Sequence, residues 1–403
     1  MKILHTADWH IGKKLHKHDL IPDFDLFVDW LAQKIAGLEV DLLLVSGDIF
    51  DLANPSSEAR SQYYRALLKL RNLDCKIILT GGNHDSPTML NAPKEILQEL
   101  DISVIGGMPA KVEETLIPIY NASGETALVV AAIPFLRDAD LRTANAGDTY
   151  EDRLAATRIG IETIFKTAAD LCAAQYPKVQ AIAMGHLFAA GMETSESERD
   201  IQIGNQAAFD AHQFGDGFAY VALGHIHKPQ RVNAKVPTYY SGSPIALSFS
   251  EQSDEKRILF IDTEISFIPE SIPVPAFRKL LKIRGNLDTL DTKLKALPSH
   301  DSLPTLIELE LQEDVYDAEK MLRLDSLVSN FDTSGYEIVK HRTQFSNAQK
   351  TLGQQYENNE KLEDVRPKDV FLKKITDHEY DTGTRQELVS AFEEILTEVY
   401  AQE

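Results

Sequence analysis

Five short polar segments, spread between Asp8 and His227, each follow an apolar run and carry residues of the kind that bind metals. They are Asp8-Trp9-His10, Gly47-Asp48-Ile49-Phe50-Asp51, Gly82-Asn83-His84-Asp85, Gly185-His186 and Gly224-His225-Ile226-His227. Strand-like apolar runs recur at Asp41 to Ser46, Cys75 to Thr80, Ala127 to Ile133, Gln180 to Met184, Tyr220 to Leu223, Thr238 to Ser241 and Ile258 to Asp262. Such runs are short and nearly unbroken, the pattern of strands buried on both faces. Helical patterns occupy Pro22 to Ile35 and Ser56 to Leu70 between the early ones, so the chain reads as α/β. A fold of that kind collects the loops at its strand ends, which brings distant polar residues to one place.

The pooled donors Asp8, His10, Asp48, Asn83, His186, His225 and His227 are oxygens and imidazole nitrogens, with no thiolate. That mixture suits divalent manganese, iron or zinc and argues against soft copper or an iron–sulfur cluster. One ion takes about three or four protein ligands, whereas this set fills two sites if a carboxylate bridges them. Asp48 is read as that bridge. Two ions roughly 3.5–4 Å apart activate a water and clamp the oxygens of an in-line displacement at phosphorus, so the reaction class is phosphoester hydrolysis. In this reading Asn83 ligates through its side-chain carbonyl and His84 is left to face the substrate. It stabilises the pentavalent phosphorus or protonates the leaving oxygen, and Asp85 holds its tautomer. Gly47, Gly82, Gly185 and Gly224 are expected to relieve the backbone where it turns sharply beside a ligand. Taken singly, a Gly-Asp or Gly-His after a strand is an ordinary turn, and His-X-His also arises from packing on one strand face. Five in order argue for a site.

The order of these motifs resembles that of the calcineurin-like metallophosphoesterases, which implies a two-sheet sandwich flanked by helices. Longer matches lie at His5 to Gly12, Gly224 to Lys228, Tyr240 to Phe249 (Tyr-Ser-Gly-Ser-Pro-Ile-Ala-Leu-Ser-Phe) and Ser195 to Gly204. These resemble the SbcD family of bacterial nuclease subunits. The resemblance implies a manganese-dependent nuclease of DNA repair, recombination and replication, with 3′ to 5′ exonuclease activity on duplex DNA and endonuclease activity on single strands and hairpins. It also implies an SbcC-type ATPase partner in a heterotetramer, and a homodimer through the nuclease domain. Carried over by position, Asp8, His10, Asp48 and His227 hold one ion, and Asp48, Asn83, His186 and His225 the other.

With 403 residues, 43% of them hydrophobic and 26% charged, the chain has an ordinary globular composition and exceeds a comfortable single core. Met1-Lys2-Ile3-Leu4-His5 reads directly into a strand, so no leader is expected, and no apolar stretch reaches the about 18 residues of a membrane span. Cys75 and Cys172 sit in apolar contexts and read as reduced packing residues of a cytoplasmic protein. The formal net charge of −21 works against DNA binding, because an acidic surface repels the duplex over a Debye length of about 8–10 Å. The expectation is weak binding by the chain alone, with affinity supplied by a partner or a second copy. Lys13, Lys14 and Lys17 form the best local basic patch for phosphate contacts.

The proline-spaced Ile272-Pro273-Val274-Pro275 is read as a boundary with few contacts. It divides a metallophosphoesterase domain, residues 1–273, from an α/β capping domain, residues 274–345, expected to run Phe277 to Ile283, Leu287 to Leu297, Thr305 to Leu311, Ala318 to Ser329 and Tyr336 to Arg342 as alternating strands and helices. Residues 346–364 are polar and read as a linker, and residues 365–403 as a helical tail. Val370, Phe371, Leu388, Phe392, Ile395, Leu396 and Val399 give that tail an apolar stripe that needs burial. A docked partner is the preferred cover, and the resemblance points to the base of the coiled coil in the ATPase. Phe24, Phe27, Val28, Trp30 and Leu31, with Tyr63, Tyr64, Leu67 and Leu68, are expected to pack on the sheet, unless part of that surface pairs two copies. Two competing functions are a phosphoesterase acting on a small substrate and a non-catalytic scaffold at DNA ends.

Overall fold

The computed structural model describes residues 1–141, 149–199, 201, 208–298, 303–314, 317–331, 335–345 and, in the tail, 371, 375, 388, 389, 391 and 392. In chain order the first elements are β1 (Lys2–Thr6), the short hairpin β2 (Lys14–Leu15) and β3 (His18–Asp19), α1 (Ile21–Leu38), β4 (Leu42–Ser46), α2 (Ser57–Arg71), β5 (Lys76–Thr80), α3 (Pro87–Asn91), α4 (Lys94–Gln98) and β6 (Ile102–Ile105). Next come β7 (Leu116–Tyr120), β8 (Thr126–Ala132), α5 (Asp138–Leu141), α6 (Tyr150–Gln175), β9 (Gln180–His186), β10 (Tyr220–Gly224), β11 (Gln230–Val232), β12 (Thr238–Tyr240), β13 (Arg257–Asp262) and β14 (Glu270–Pro273). The last are β15 (Leu280–Gly285), α7 (Leu287–Lys295), β16 (Thr305–Glu313), α8 (Ala318–Ser329) and β17 (Tyr336–Phe345).

Two six-stranded sheets stack face to face, in the orders β14-β13-β1-β4-β5-β6 and β11-β12-β10-β9-β8-β7. The alternation of side chains along β4 shows how the layers are made. Leu42 and Leu44 point into the core between the sheets with Ile78, Val130, Ile182, Met184 and Ala222. Leu43 and Val45 point the other way, to a core with Phe24, Phe27 and Leu31 of α1 and Tyr63 and Leu67 of α2. The second sheet repeats the scheme, with Val129, Ala183 and Leu223 meeting Phe165, Ala168 and Cys172 of α6. Every residue of β4 and β10 is therefore buried, and each large aliphatic side chain contributes about 1.5–3 kcal/mol by leaving water. This is the expected two-sheet sandwich flanked by helices.

Helix ends follow local chemistry. Ser56 caps α2 by accepting from the Ala59 N–H, α1 opens with a proline in its first turn, and Glu39 ends it in the left-handed region at φ +54°. Within the helices the expectation divides: Phe24, Phe27, Val28, Leu31, Tyr63 and Leu67 are buried, while Tyr64 and Leu68 are 39% and 53% exposed and face away from the sheet.

Ile272 to Pro275 differs from the expected sparse connector. Its first half is the edge strand β14, paired with β13 from Arg257↔Pro273 to Phe260↔Glu270, and Val274 is buried and donates its N–H to the Lys256 carbonyl. An edge strand tolerates proline because one side of it needs no donor. Beyond it β15, β16 and β17 form a three-stranded sheet, β15 and β16 in parallel, over a core of Leu290, Leu294, Ile307, Leu309 and Leu324. Arg278 ties this region to α1: its guanidinium grips the Asp23 carboxylate at 2.8–3.0 Å and donates to the Pro304 carbonyl at 2.8 Å.

In the tail, Phe371 and Phe392 stack with ring centroids 3.8 Å apart, and Ile375 is buried. Of the stripe residues Phe371, Leu388 and Phe392 are described as helical. Val370, Ile395, Leu396 and Val399 lie outside the described residues, as does the linker of residues 346–364. Among the described residues no helix is long and apolar enough to cross a membrane. Cys75 and Cys172 are buried free thiols.

Candidate metal centre

Parallel strands put the donors at one end of the sandwich. β1, β4 and β5 run parallel in the first sheet, and β8, β9 and β10 in the second. Asp8 and His10 follow β1, Asp48 follows β4, Asn83 and His84 follow β5, His186 ends β9, and His225 and His227 follow β10. Hydrogen bonds lace the loops together: the Asp8 N–H donates to the Gly47 carbonyl at 3.1 Å and the His10 N–H to the Asp48 carbonyl at 3.0 Å. Asp8, His10, Asp48 and His225 lie at φ +52°, +45°, +45° and +103°, a backbone region that side chains other than glycine seldom adopt. Such conformations cost about 1–3 kcal/mol each and persist where the surroundings over-determine them, typically at working sites.

The neighbouring glycines serve mostly by lacking a side chain. A Cβ on Gly224 would sit 1.7 Å from the Ser46 carbonyl oxygen, and one on Gly82 would sit 2.1 Å from Asp48 Oδ1. Neither has a positive φ. Only Gly47, at φ +79°, also needs the freedom to turn that the sequence suggested for all four, and a Cβ there would meet His186 Nδ1 at 2.0 Å.

The expected donors form two clusters, each with atoms within 4.8 Å of one another: Asp8, His10, Asp48 and His227, and Asp48, His186 and His225; a third group of the same compactness joins His10 to Asp51 and His84. Asp48 belongs to both. Its Oδ2 lies 3.6 Å from His10 Nε2 and 3.5 Å from His186 Nε2. Asn83 joins the second cluster, with Oδ1 2.9 Å from His186 Nε2 and 3.2 Å from His225 Nδ1. All seven donors are buried or nearly so.

The donor set fits divalent cations. Asp51 Oδ1, which only accepts, lies 3.2 Å from His10 Nδ1, so the proton sits on Nδ1 and Nε2 presents a lone pair. That nitrogen faces His227 Nε2 at 3.1 Å, an approach that a shared cation explains. In the same way the Ser46 carbonyl, 3.3 Å from His186 Nδ1, turns Nε2 of that ring inward. Asp8 Oδ2 and His225 Nε2 are buried without a partner. Burial pushes the Asp8 carboxyl up to about 7, against the pull of His186 and His227; it lowers His10 to about 4 and holds His225 well below the ordinary histidine value. Burial also works against charge on His186, but the adjoining Asp48 carboxylate outweighs it and raises the ring to about 9. A compact group of acids and imidazoles held this far from their ordinary protonation is what a cation would resolve.

Comparison with known proteins agrees. Residues 1–229 match the calcineurin-like phosphoesterase family, and residues 276–379 match the type 5 capsule protein repressor C-terminal domain. The chain is 29% identical over 400 residues to the SbcD subunit of the nuclease SbcCD of Escherichia coli strain K12, spanning 97% of each chain. It is 35% identical over 291 residues to the corresponding SbcCD nuclease subunit of Rhodobacter capsulatus, covering 70% of this chain and 71% of that one. With the corresponding subunit of Bacillus subtilis it shares 31% identity over 266 residues, 66% of each. The chain belongs to the SbcD-type calcineurin-like phosphoesterases. It is accordingly a metal-dependent nuclease, and the buried Asp and His clusters are where this SbcD-type chain can hold divalent ions.

The structure gathers all seven expected donors and brings His84 beside them, its ring 4.7 Å from that of His10. The part expected of Asp85 needs correction. Its carboxylate accepts from the N–H groups of Ile49, Phe50 and Gly82 at 2.8–2.9 Å, stapling the loop after β4 to the loop after β5. The His84 Nδ1–H donates instead to the Asp51 carbonyl at 2.7 Å, which sets the tautomer. Three acceptor contacts to backbone occupy the Asp85 oxygens, and adjacent residues in a loop turn their side chains apart. Lys13 is likewise committed, to Asp51 Oδ1 at 3.0 Å, while Lys14 pairs with Asp19 at 3.3 Å and Lys17 stands in the hairpin turn at φ +76°. Sequence reading missed Asp51 as the partner of His10, although it stands in the quoted Gly-Asp-X-X-Asp segment. It also missed Ser197, whose Oγ stands at His227 Nδ1, and the buried Glu251 behind it.

Proposed function

We propose that this chain is the nuclease subunit of a DNA end-processing complex, cleaving DNA phosphodiesters with two divalent ions, manganese being the preferred pair. Its activities are a 3′ to 5′ exonuclease on duplex ends and an endonuclease on single strands and hairpins, exercised in the cytoplasm with an SbcC-type ATPase. The observation that carries the reading is that both donor clusters share Asp48 and that His84 stands beside them without belonging to the seven donors. Asp8, His10, Asp48 and His227 would hold one ion, and Asp48, Asn83, His186 and His225 the other. Bound there, the ions supply Lewis-acid activation of water and neutralise charge at phosphorus.

His84 supplies the remaining group. Its Nδ1–H is spent on the Asp51 carbonyl, so a proton for the leaving oxygen travels on Nε2 and requires the charged ring. Burial lowers the basicity of His84, and the arriving phosphodiester anion offsets that by favouring the cation. Asp85 is a positioning residue: by fixing the backbone of Ile49, Phe50 and Gly82 it sets the places of Asp48 and Asn83.

With a net charge of −21 and Lys13 already paired, the chain alone offers DNA little phosphate contact. The reading therefore includes Lys14 and Lys17 as minor contacts, residues 274–345 as a cap over the DNA, a homodimer through the exposed Tyr64 and Leu68 side of the helical layer, and residues 365–403 as the seat of the ATPase. A labelled hairpin and a blunt duplex, incubated with and without manganese and with and without the ATPase subunit, provide the test. Manganese-dependent cleavage that the partner enhances is expected. Hydrolysis of a small phosphodiester with no cleavage of either DNA would overturn the reading.

A further inference from the structure

The segments Ser195 to Gly204 and Tyr240 to Phe249 hold none of the seven proposed donors, yet the fold draws the described part of both toward His227. Glu251, 1% exposed, is the centre of the arrangement. Its Oε2 accepts from Lys256 Nζ at 2.6 Å and from the Leu247 N–H at 3.1 Å, and Lys256 Nζ also donates to the His227 carbonyl at 3.1 Å. Its Oε1 accepts from the hydroxyl of Ser197, with Ser195 Oγ also 3.1 Å away. Ser197 Oγ in turn lies 2.5 Å from Nδ1 of His227.

The shortest contacts assign the hydrogens: Ser197 Oγ stands nearer to Glu251 Oε1 than to Ser195 Oγ, which is 2.7 Å away and gives its own hydrogen to Glu198 Oε2 at 2.7 Å. A carboxylate only accepts, and a serine hydroxyl has one hydrogen to give. Ser197 spends that hydrogen on Glu251, so its contact with His227 is an Nδ1–H donating to Oγ. Nε2 of His227 is thereby left with its lone pair, the atom that faces His10 Nε2 at 3.1 Å inside the first cluster. The His227 backbone is held as well, its N–H donating to Glu198 Oε1 at 2.8 Å.

We infer that Glu251 and Ser197 are positioning residues that act in series on His227, selecting the tautomer and ring angle with which it binds the ion shared with Asp8, His10 and Asp48. The inference rests on the two-ion reading of the site. Lys256 balances the buried charge of Glu251, because an unpaired carboxylate there would be costly. The device differs from the direct carboxylate that serves His10 in having a hydroxyl interposed, and the hydroxyl can be removed without disturbing the Glu251–Lys256 pair.

Ser197→Ala therefore tests it. Manganese titration followed by calorimetry and electron paramagnetic resonance should show one of the two sites weakened about 10–100-fold and the other unchanged, with the metal-free melting temperature preserved. Long-range proton–nitrogen spectra of histidine-labelled protein should show the Nδ1–H form of His227 in the parent chain and a mixture of tautomers in Ser197→Ala. Ser197→Thr, which keeps the hydroxyl, should restore both readouts, and Glu251→Gln combined with Lys256→Met should repeat the single-site loss. Two full-affinity sites in Ser197→Ala, or equal weakening of both with a lowered metal-free melting temperature, would overturn the inference. A parent chain that binds fewer than two ions would instead overturn the two-ion reading beneath it.

Discussion

Single residues decide the chemistry here, and His84 is the sharpest case. It lies outside the seven donors, so His84→Ala should leave both ions bound while cleavage falls about 100- to 10,000-fold, the usual worth of a general acid. Full cleavage by a variant shown to hold two ions would remove His84 from the role. A second expectation concerns protons. Ligation needs neutral imidazoles and ionised carboxyls, but without ions Asp8 is held near 7 and His186 near 9. Manganese binding at neutral pH must then expel protons, and apparent affinity should climb as pH rises toward 9 and fall on acidification, when His10 and His225 also compete. Calorimetry in two buffers of different ionisation enthalpy measures the release; none at pH 7 would contradict the assignment. At this scale sequence reading picked out the residues that the structure clusters, because each stands at a strand end. It misplaced Asp85, because a side chain's partner in a loop is set by which backbone lies opposite, and His84 finds the carbonyl of Asp51, far from it in sequence.

The elements show why some patterns are readable. β4 and β10 are apolar on both faces because sheets and helices cover both, so unbroken runs identify them. The helices were readable only by face: Tyr63 and Leu67 turn inward, and Tyr64 and Leu68, one residue on in each case, do not. The Arg278–Asp23 pair was not readable at all, since neither residue stands in a motif. It is buried to 3% and 7% side-chain exposure and joins α1 to the segment leading into β15. Asp23→Ala leaves that guanidinium without its partner, and a loss of about 3–5 kcal/mol is expected. Urea unfolding would measure it, and an unchanged midpoint would show that the pair does not tie the two regions.

For the molecule as a whole, the net charge of −21 sets how DNA is held. Weak, strongly salt-dependent binding by the chain alone is the expected behaviour. The stacked Phe371 and Phe392, with Leu388, are the described part of the tail stripe, which the proposed function assigns to the ATPase. A chain ending at Asp364 should keep its manganese sites and lose the ATPase in a pulldown. Retained capture would move the docking surface elsewhere.

From residues alone came the α/β class, the phosphoester chemistry and the seven residues proposed as donors, all of which depend on local pattern and ligand type. The tertiary structure decided the rest: which glycines are needed for space, which groups orient the rings of His10 and His186, and what stands behind His227. Those are relations across long stretches of chain, as between Ser197 and Glu251, and no spacing in a sequence encodes an approach between loops that only the folded chain brings together.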